Sequence, residues 1–182
     1  DAGFNGNKEI QTPWLDSLAS LGLIFDRFYS ASAVCSPTRA SFITGRNPLR
    51  MNIPTANSGH MPKEEITLAE LLSEEGYATG HFGKWHLGHH PEFLPTHQGF
   101  DEYFGIPYSN DMWPLHPQQG PIFDFGPLPL YENETVVDTL TDQTLLTTQI
   151  TEKSINFITK NKFYWYPFFI MRLCEAVLLF CP

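Results

Sequence analysis

The chain has 182 residues, with 11 Lys and Arg against 20 Asp and Glu, for a net charge of −9. That acidity, with no basic stripe interleaved with aromatics, excludes a phosphate-backbone partner, so nucleic acid is not expected as a ligand. A hydrophobic fraction of 42% beside 17% charged residues excludes a disordered chain, because this much apolar surface must be buried. The length suits one domain or a piece of a larger one. Cys35, Cys174 and Cys181 are too few and too scattered for a disulfide framework or a zinc site. The redox compartment therefore stays open.

The opening "DAGFNGNKEI" lacks the basic and then apolar pattern of a signal peptide. In "TPWLDSLASLG", Thr12 is suited to the N-cap, Pro13 to the first helical position and Gly22 to the stop, with Leu15, Leu18 and Ala19 on one face. "LIFDRFYSAS" alternates and is rich in β-formers, which predicts a strand. A second short helix is expected around Ala40–Thr44, with Ser36 as its cap, Pro37 in its first turn and Gly45 at its end. "TLAELLSEEG" predicts a third helix: Thr67 and Glu70 form a capping box, Leu68, Leu71 and Leu72 face a core, and Gly76 ends it. "YATGHFG" follows as a strand.

From residue 89 to about 134 periodicity vanishes and Pro, Gly and aromatic content rises, as in a long structured loop. Within it Asn133 opens an Asn-Glu-Thr glycosylation motif. "TDQTLLTTQITEKSINFITKNK" predicts a helix. The tail 163–182 is apolar but carries Arg172 and Glu175, which is costly inside a bilayer, so a buried strand is expected and no membrane span. The alternation of helices and strands predicts an α/β fold with a mixed, mainly parallel sheet flanked by helices, and ligands at the carboxyl ends of its strands.

Two stretches carry the chemistry. "SAVCSPTRASFITGR" places Cys35 beside a helix N-terminus and Arg39 one turn further on. Open backbone N–H groups, the helix dipole and a guanidinium favour an oxyanion of sulfate or phosphate type there. The commoner fate of such residues is a small buried thiol and a surface charge. A thiolate nucleophile is a further option, but the Cys-x5-Arg spacing of cysteine phosphatases is absent. In "GYATGHFGKWHLG", Lys84 and His86 lie two apart on an extended segment, which puts both on one side. A lysine there supplies charge to a bound oxyanion and a histidine moves a proton near neutral pH. His86, His89 and His90 lie among prolines and glycines, with no helix to gather them around a metal. The same stretch does not fit a phosphate-binding P-loop, since Trp85 occupies the Ser/Thr position.

Cys35-Ser36-Pro37-Thr38-Arg39, continued by "ASFITGR", resembles the first signature of the sulfatase family, and Gly76–Gly88 resembles the second. The likeness runs from Asp1 to about Phe169 and looks closest to the arylsulfatase A-like branch of this alkaline phosphatase-like superfamily. It implies that Cys35 is oxidised to formylglycine (3-oxoalanine) by a formylglycine-generating or equivalent maturation enzyme. One hydroxyl of the aldehyde hydrate would attack the sulfur of a sulfate ester in line with the departing alcohol, whose S–O bond breaks as a covalent sulfate forms. His86 would take a proton from its second hydroxyl, Arg39 and Lys84 would hold the nucleophile, and Lys84 with Ser109 of "GIPYSND" would hold sulfate oxygens. A calcium or magnesium ion would polarise the ester, with Cys35 as formylglycine among its ligands.

The family's paired metal aspartates would precede Asp1, and its Asp-Asn pair, substrate histidine and second lysine would follow residue 182. Residues 1–182 are therefore expected to be an incomplete N-terminal portion of a sulfatase catalytic domain, inactive alone, with a divergent tail at 163–182. A phosphonate or phosphodiester monoesterase of the same superfamily, or a non-catalytic binding relative, are the alternatives. By resemblance the compartment is periplasmic, lysosomal or extracellular.

Overall fold

The computed structural model describes residues 2–116, 118, 120–164, 167–174 and 177–178, in two compact units, residues 1–30 and 31–182.

In the first unit, α1 spans Pro13–Leu21 with Pro13 at its start. Thr12 stands at the N-cap but does not cap. Its Oγ1 accepts from the Gly3 N–H at 2.8 Å and donates to Asp16 Oδ1 at 3.0 Å, which ties a 3-10 turn at Gly3–Asn5 to the helix. No residue of α1 is buried; of the predicted apolar face, Leu15 and Ala19 are partly buried and Leu18 is exposed. The strand expected over "LIFDRFYSAS" does not form; Leu23, Phe25, Phe28 and Tyr29 are exposed. β-formers need a neighbouring strand to take their N–H and C=O groups, and none of the described strands pairs with this segment.

The second unit is a mixed α/β layer structure. α2 (Cys35–Thr44) and α3 (Leu68–Glu74) precede β1 (Ala78–Gly83). β2 (Glu102–Gly105), β3 (Leu128–Glu132), β4 (Thr135–Leu140), α4 (Leu146–Tyr164), β5 (Phe168–Cys174) and β6 (Val177–Leu178) follow. The described strands form one sheet in the order β4-β3-β2-β1-β5-β6. Its centre is parallel, with β1 between β2 and β5, and its margins are antiparallel.

β1 is buried on both faces, as a central parallel strand must be. Phe82 joins Phe104, Leu130 and Phe157 of α4 on one side. Trp85, Phe100 and Tyr103 pack with Ala40 and Ile43 of α2 on the other. Gly80 is needed on the α4 side, because a Cβ there would lie 3.0 Å from the Phe157 ring.

α2 begins earlier than a Ser36 cap predicts. Val34 is the N-cap and Cys35 the first helical residue, since the Thr38 N–H closes a turn on the Val34 carbonyl at 3.1 Å. Pro37 is still within the first turn, where its missing N–H costs nothing. Gly45 ends the helix at φ +67°. The Thr67–Glu70 capping box is formed, and Gly76 follows α3 at φ +81°. Leu71 is nevertheless half exposed, and Ala69 is the buried residue of that helix.

The stretch 89–134 is not a plain loop. "EYFG" supplies β2 and "LPLYE" supplies β3, segments too short to show a clear period in the sequence. Asn133, at φ +54°, makes the β3–β4 turn, and its Oδ1 accepts from the Tyr103 N–H at 2.9 Å. The tail provides β5 alongside β1. Cys181 and Glu175 lie outside the described residues, as does Asp1. Among the described residues no helix is long and apolar enough to cross a membrane.

Candidate active site

Of the residues singled out by sequence, Arg39, Lys84 and Ser109 meet at the carboxyl ends of the parallel strands β1 and β2. β1 stops at Gly83 and β2 at Gly105, and the chain beyond each stays paired. The Trp85 N–H donates to the Ile106 carbonyl at 2.9 Å and the His86 N–H to the Pro107 carbonyl at 3.0 Å. Lys84–His86 is thereby held beside 106–107, which brings Lys84 to Ser109. Lys84 Nζ donates to Ser109 Oγ at 2.8 Å, and both side chains are buried.

Gly105 makes this crossing possible. A Cβ on it would lie 1.9 Å from the Gly83 carbonyl oxygen. The extended geometry expected through Lys84 and His86 is not kept, however. His86 takes φ +62°, a left-handed backbone uncommon for residues other than glycine. Such residues cluster where a site dictates the conformation.

α2 reaches the same place from outside the sheet. Arg39 is 8% exposed, and its Nη1 donates to the Lys84 carbonyl at 2.6 Å. Cys35, a free and partly buried thiol at the first position of the helix, lies one turn before Arg39, so the two share a helix face. Arg39, Lys84 and Ser109 thus form one hydrogen-bonded chain. His86 is buried two residues beyond Lys84.

Three further titratable groups lie on the same segments. His81 is fully buried on β1, and its Nε2 lies 3.2 Å from the same Lys84 carbonyl that Arg39 holds. Burial first, and the nearby Arg39 charge second, lower its pKa from 6.5 to about 3. The motifs in "GYATGHFGKWHLG" do not single out His81. The signal was there, because strand alternation puts residue 81 on the face opposite Phe82. His89 sits 4.6 Å from the His90 ring and 6.1 Å, edge on, from Tyr108. Its pKa is lowered by burial and then by His90. Tyr108, the neighbour of Ser109, has its own raised by burial and then by Tyr131.

Chemically the site offers a lysine and a hydroxyl for an oxyanion, a guanidinium behind them and an imidazole for proton transfer. It does not offer a metal cage. Among the described residues no group of three or more His, Cys, Asp or Glu could hold a metal ion, and a hard divalent cation takes about six oxygen ligands.

The family model described as Sulfatase matches residues 1–172. Mouse arylsulfatase G is 38% identical over 194 residues, covering 93% of this chain and 37% of that protein. Human arylsulfatase A is 48% identical over 122 residues, covering 63% of this chain and 24% of that protein. This chain thus spans well under half of either relative. Among solved structures, Ps i-CgsB superposes with a TM-score of 0.76 at 31% identity, covering 96% of this chain and 42% of that one. A family match over residues 1–172, repeated in the relatives and in the fold, makes this chain a member of the sulfatase family.

Proposed function

We propose that this chain supplies the nucleophile and sulfate-binding part of a longer sulfuric ester hydrolase acting on sulfate esters. The observation that carries the reading is the Lys84 Nζ–Ser109 Oγ contact at 2.8 Å, tied through the Lys84 carbonyl to Arg39 at 2.6 Å. Two buried cationic side chains and a hydroxyl held together on α2 and two strand ends suit a tetrahedral oxyanion.

In this reading Cys35 is the precursor of formylglycine, made by a maturation enzyme. The hydrated aldehyde supplies a hydroxyl that attacks sulfur as the ester S–O bond breaks and the alcohol leaves. Arg39 orients that group from one turn along α2. Lys84 and Ser109 take sulfate oxygens, and Lys84 also neutralises their charge. His86, whose backbone N–H donates to the Pro107 carbonyl, accepts a proton from the second hydroxyl in this reading, which lets the aldehyde reform and release sulfate. The donors among the described residues do not amount to a calcium or magnesium site. A divalent ion would take its remaining ligands from residues other than these 182, and the 182-residue chain alone is expected to be inactive.

The test is the mass of the tryptic peptide containing Cys35 from the full-length protein in its own host, together with turnover of 4-nitrophenyl sulfate. Conversion to formylglycine removes about 18 Da. An unmodified thiol in a protein without sulfatase turnover would overturn the reading.

A further inference from the structure

His81 is an unexpected residue for its place. It is fully buried on the central strand, its ring 5.2 Å from Trp85, 5.3 Å from Phe100 and 5.6 Å from Tyr103. An aliphatic side chain would fill such an aromatic slot at no polar cost. The imidazole instead leaves Nδ1 buried, with no hydrogen-bond partner among the described residues. Half-satisfied polar groups persist in a core where the half that is satisfied does something.

The satisfied half is the contact of Nε2 with the Lys84 carbonyl. A carbonyl has no proton to give, so Nε2 carries the hydrogen and donates it, and Nδ1 is the bare nitrogen. Arg39 Nη1 donates to the same oxygen, which uses both of its lone pairs. That oxygen stands where β1 loses its regular path: Gly83 has φ +120° and His86 φ +62°. A bond from residue 81 to residue 84 closes the turn that these two conformations open.

We infer that His81 is a positioning residue for the sulfate site, its Nε2–H and the Arg39 guanidinium clamping the Lys84 carbonyl so that the Lys84 ammonium and the left-handed His86 are fixed in register with Ser109. The inference rests on the sulfatase reading for its kinetic consequence. The clamp itself rests on geometry alone. Because burial keeps the ring neutral well below neutral pH, the bond persists across the working range.

The experiment compares His81→Leu and His81→Gln in the full-length protein. Turnover of 4-nitrophenyl sulfate is normalised to the formylglycine content of each sample. Leu fills the aromatic slot but cannot donate, and Gln retains an N–H near the position of Nε2. Small misplacements of catalytic groups cost up to about a hundredfold. We expect His81→Leu to lower kcat/KM about tenfold with Tm unchanged or raised, and His81→Gln to recover at least half of the loss. Wild-type turnover in His81→Leu, or equal impairment in both variants, overturns the inference; if His81→Leu fails to fold, His81→Met takes its place. Nitrogen-15 NMR of the imidazole separates this failure from that of the sulfatase reading. A neutral ring protonated at Nε2 supports the clamp even in a protein without sulfatase turnover, and a ring protonated at Nδ1 overturns it.

Discussion

Lys84 and Ser109 meet side chain to side chain at 2.8 Å although 25 residues separate them. The contact depends on two strand ends lying side by side, since Lys84 follows β1 and Ser109 follows β2. Hydrogen bonds to a charged group are worth about 1.5–3 kcal/mol. In the full-length protein, Ser109→Ala should therefore reduce kcat/KM for an aryl sulfate by roughly ten- to a hundredfold. Steady-state kinetics on 4-nitrophenyl sulfate checks this; a change under twofold would remove Ser109 from the sulfate-binding set.

Arg39 binds a backbone oxygen through one nitrogen of a planar fork, which an ammonium on a shorter, flexible stem does not reproduce. Arg39→Lys keeps the charge and should still lose at least about tenfold in kcat/KM, because the Lys84 carbonyl loses a well-aligned donor. Full activity in Arg39→Lys would show that charge alone is what the site takes from α2.

The buried His81 makes stability depend on pH with a definite sign. Its pKa is depressed from 6.5 in the unfolded chain to about 3 in the folded one, so between these values the unfolded state binds the extra proton. The contribution is fully present above about pH 6.5 and is lost as pH falls toward 3, by up to about 1.4 kcal/mol per pH unit. Urea unfolding at pH 7, 6 and 5 should show this slope in the wild type and a shallower one in His81→Leu. Parallel slopes in the two proteins would mean that His81 is not buried neutral.

Gly105 lies against the Gly83 carbonyl, where an added Cβ would come within 1.9 Å of a backbone atom that cannot swing aside. Gly105→Ala should therefore destabilise by about 2–3 kcal/mol, the upper part of the usual range for overpacking, and should reduce turnover by displacing Lys84. Chemical denaturation together with kinetics reads both effects. Gly45→Ala, at an open position with φ +67°, should cost stability with little effect on turnover.

Sequence alone determined what local chemistry decides. The capping box at Thr67 and Glu70, the glycine stops at Gly45 and Gly76 and the run of β1 are all fixed within a few residues, and they form as read. The family signatures around Cys35 and Lys84 were legible for the same reason, since each is a contiguous stretch. Tertiary structure decided the rest. β2 and β3 draw their hydrogen bonds from distant strands and carry no period of their own, while residues 23–32 have the composition of a strand without a described partner. The same holds at the site. That Ser109 meets Lys84, that His86 leaves the extended conformation, and that His81 and Arg39 converge on one carbonyl all depend on strand ends brought together by the sheet. Hydrogen bonds across 25 and 45 residues are set by packing, and no local pattern encodes them.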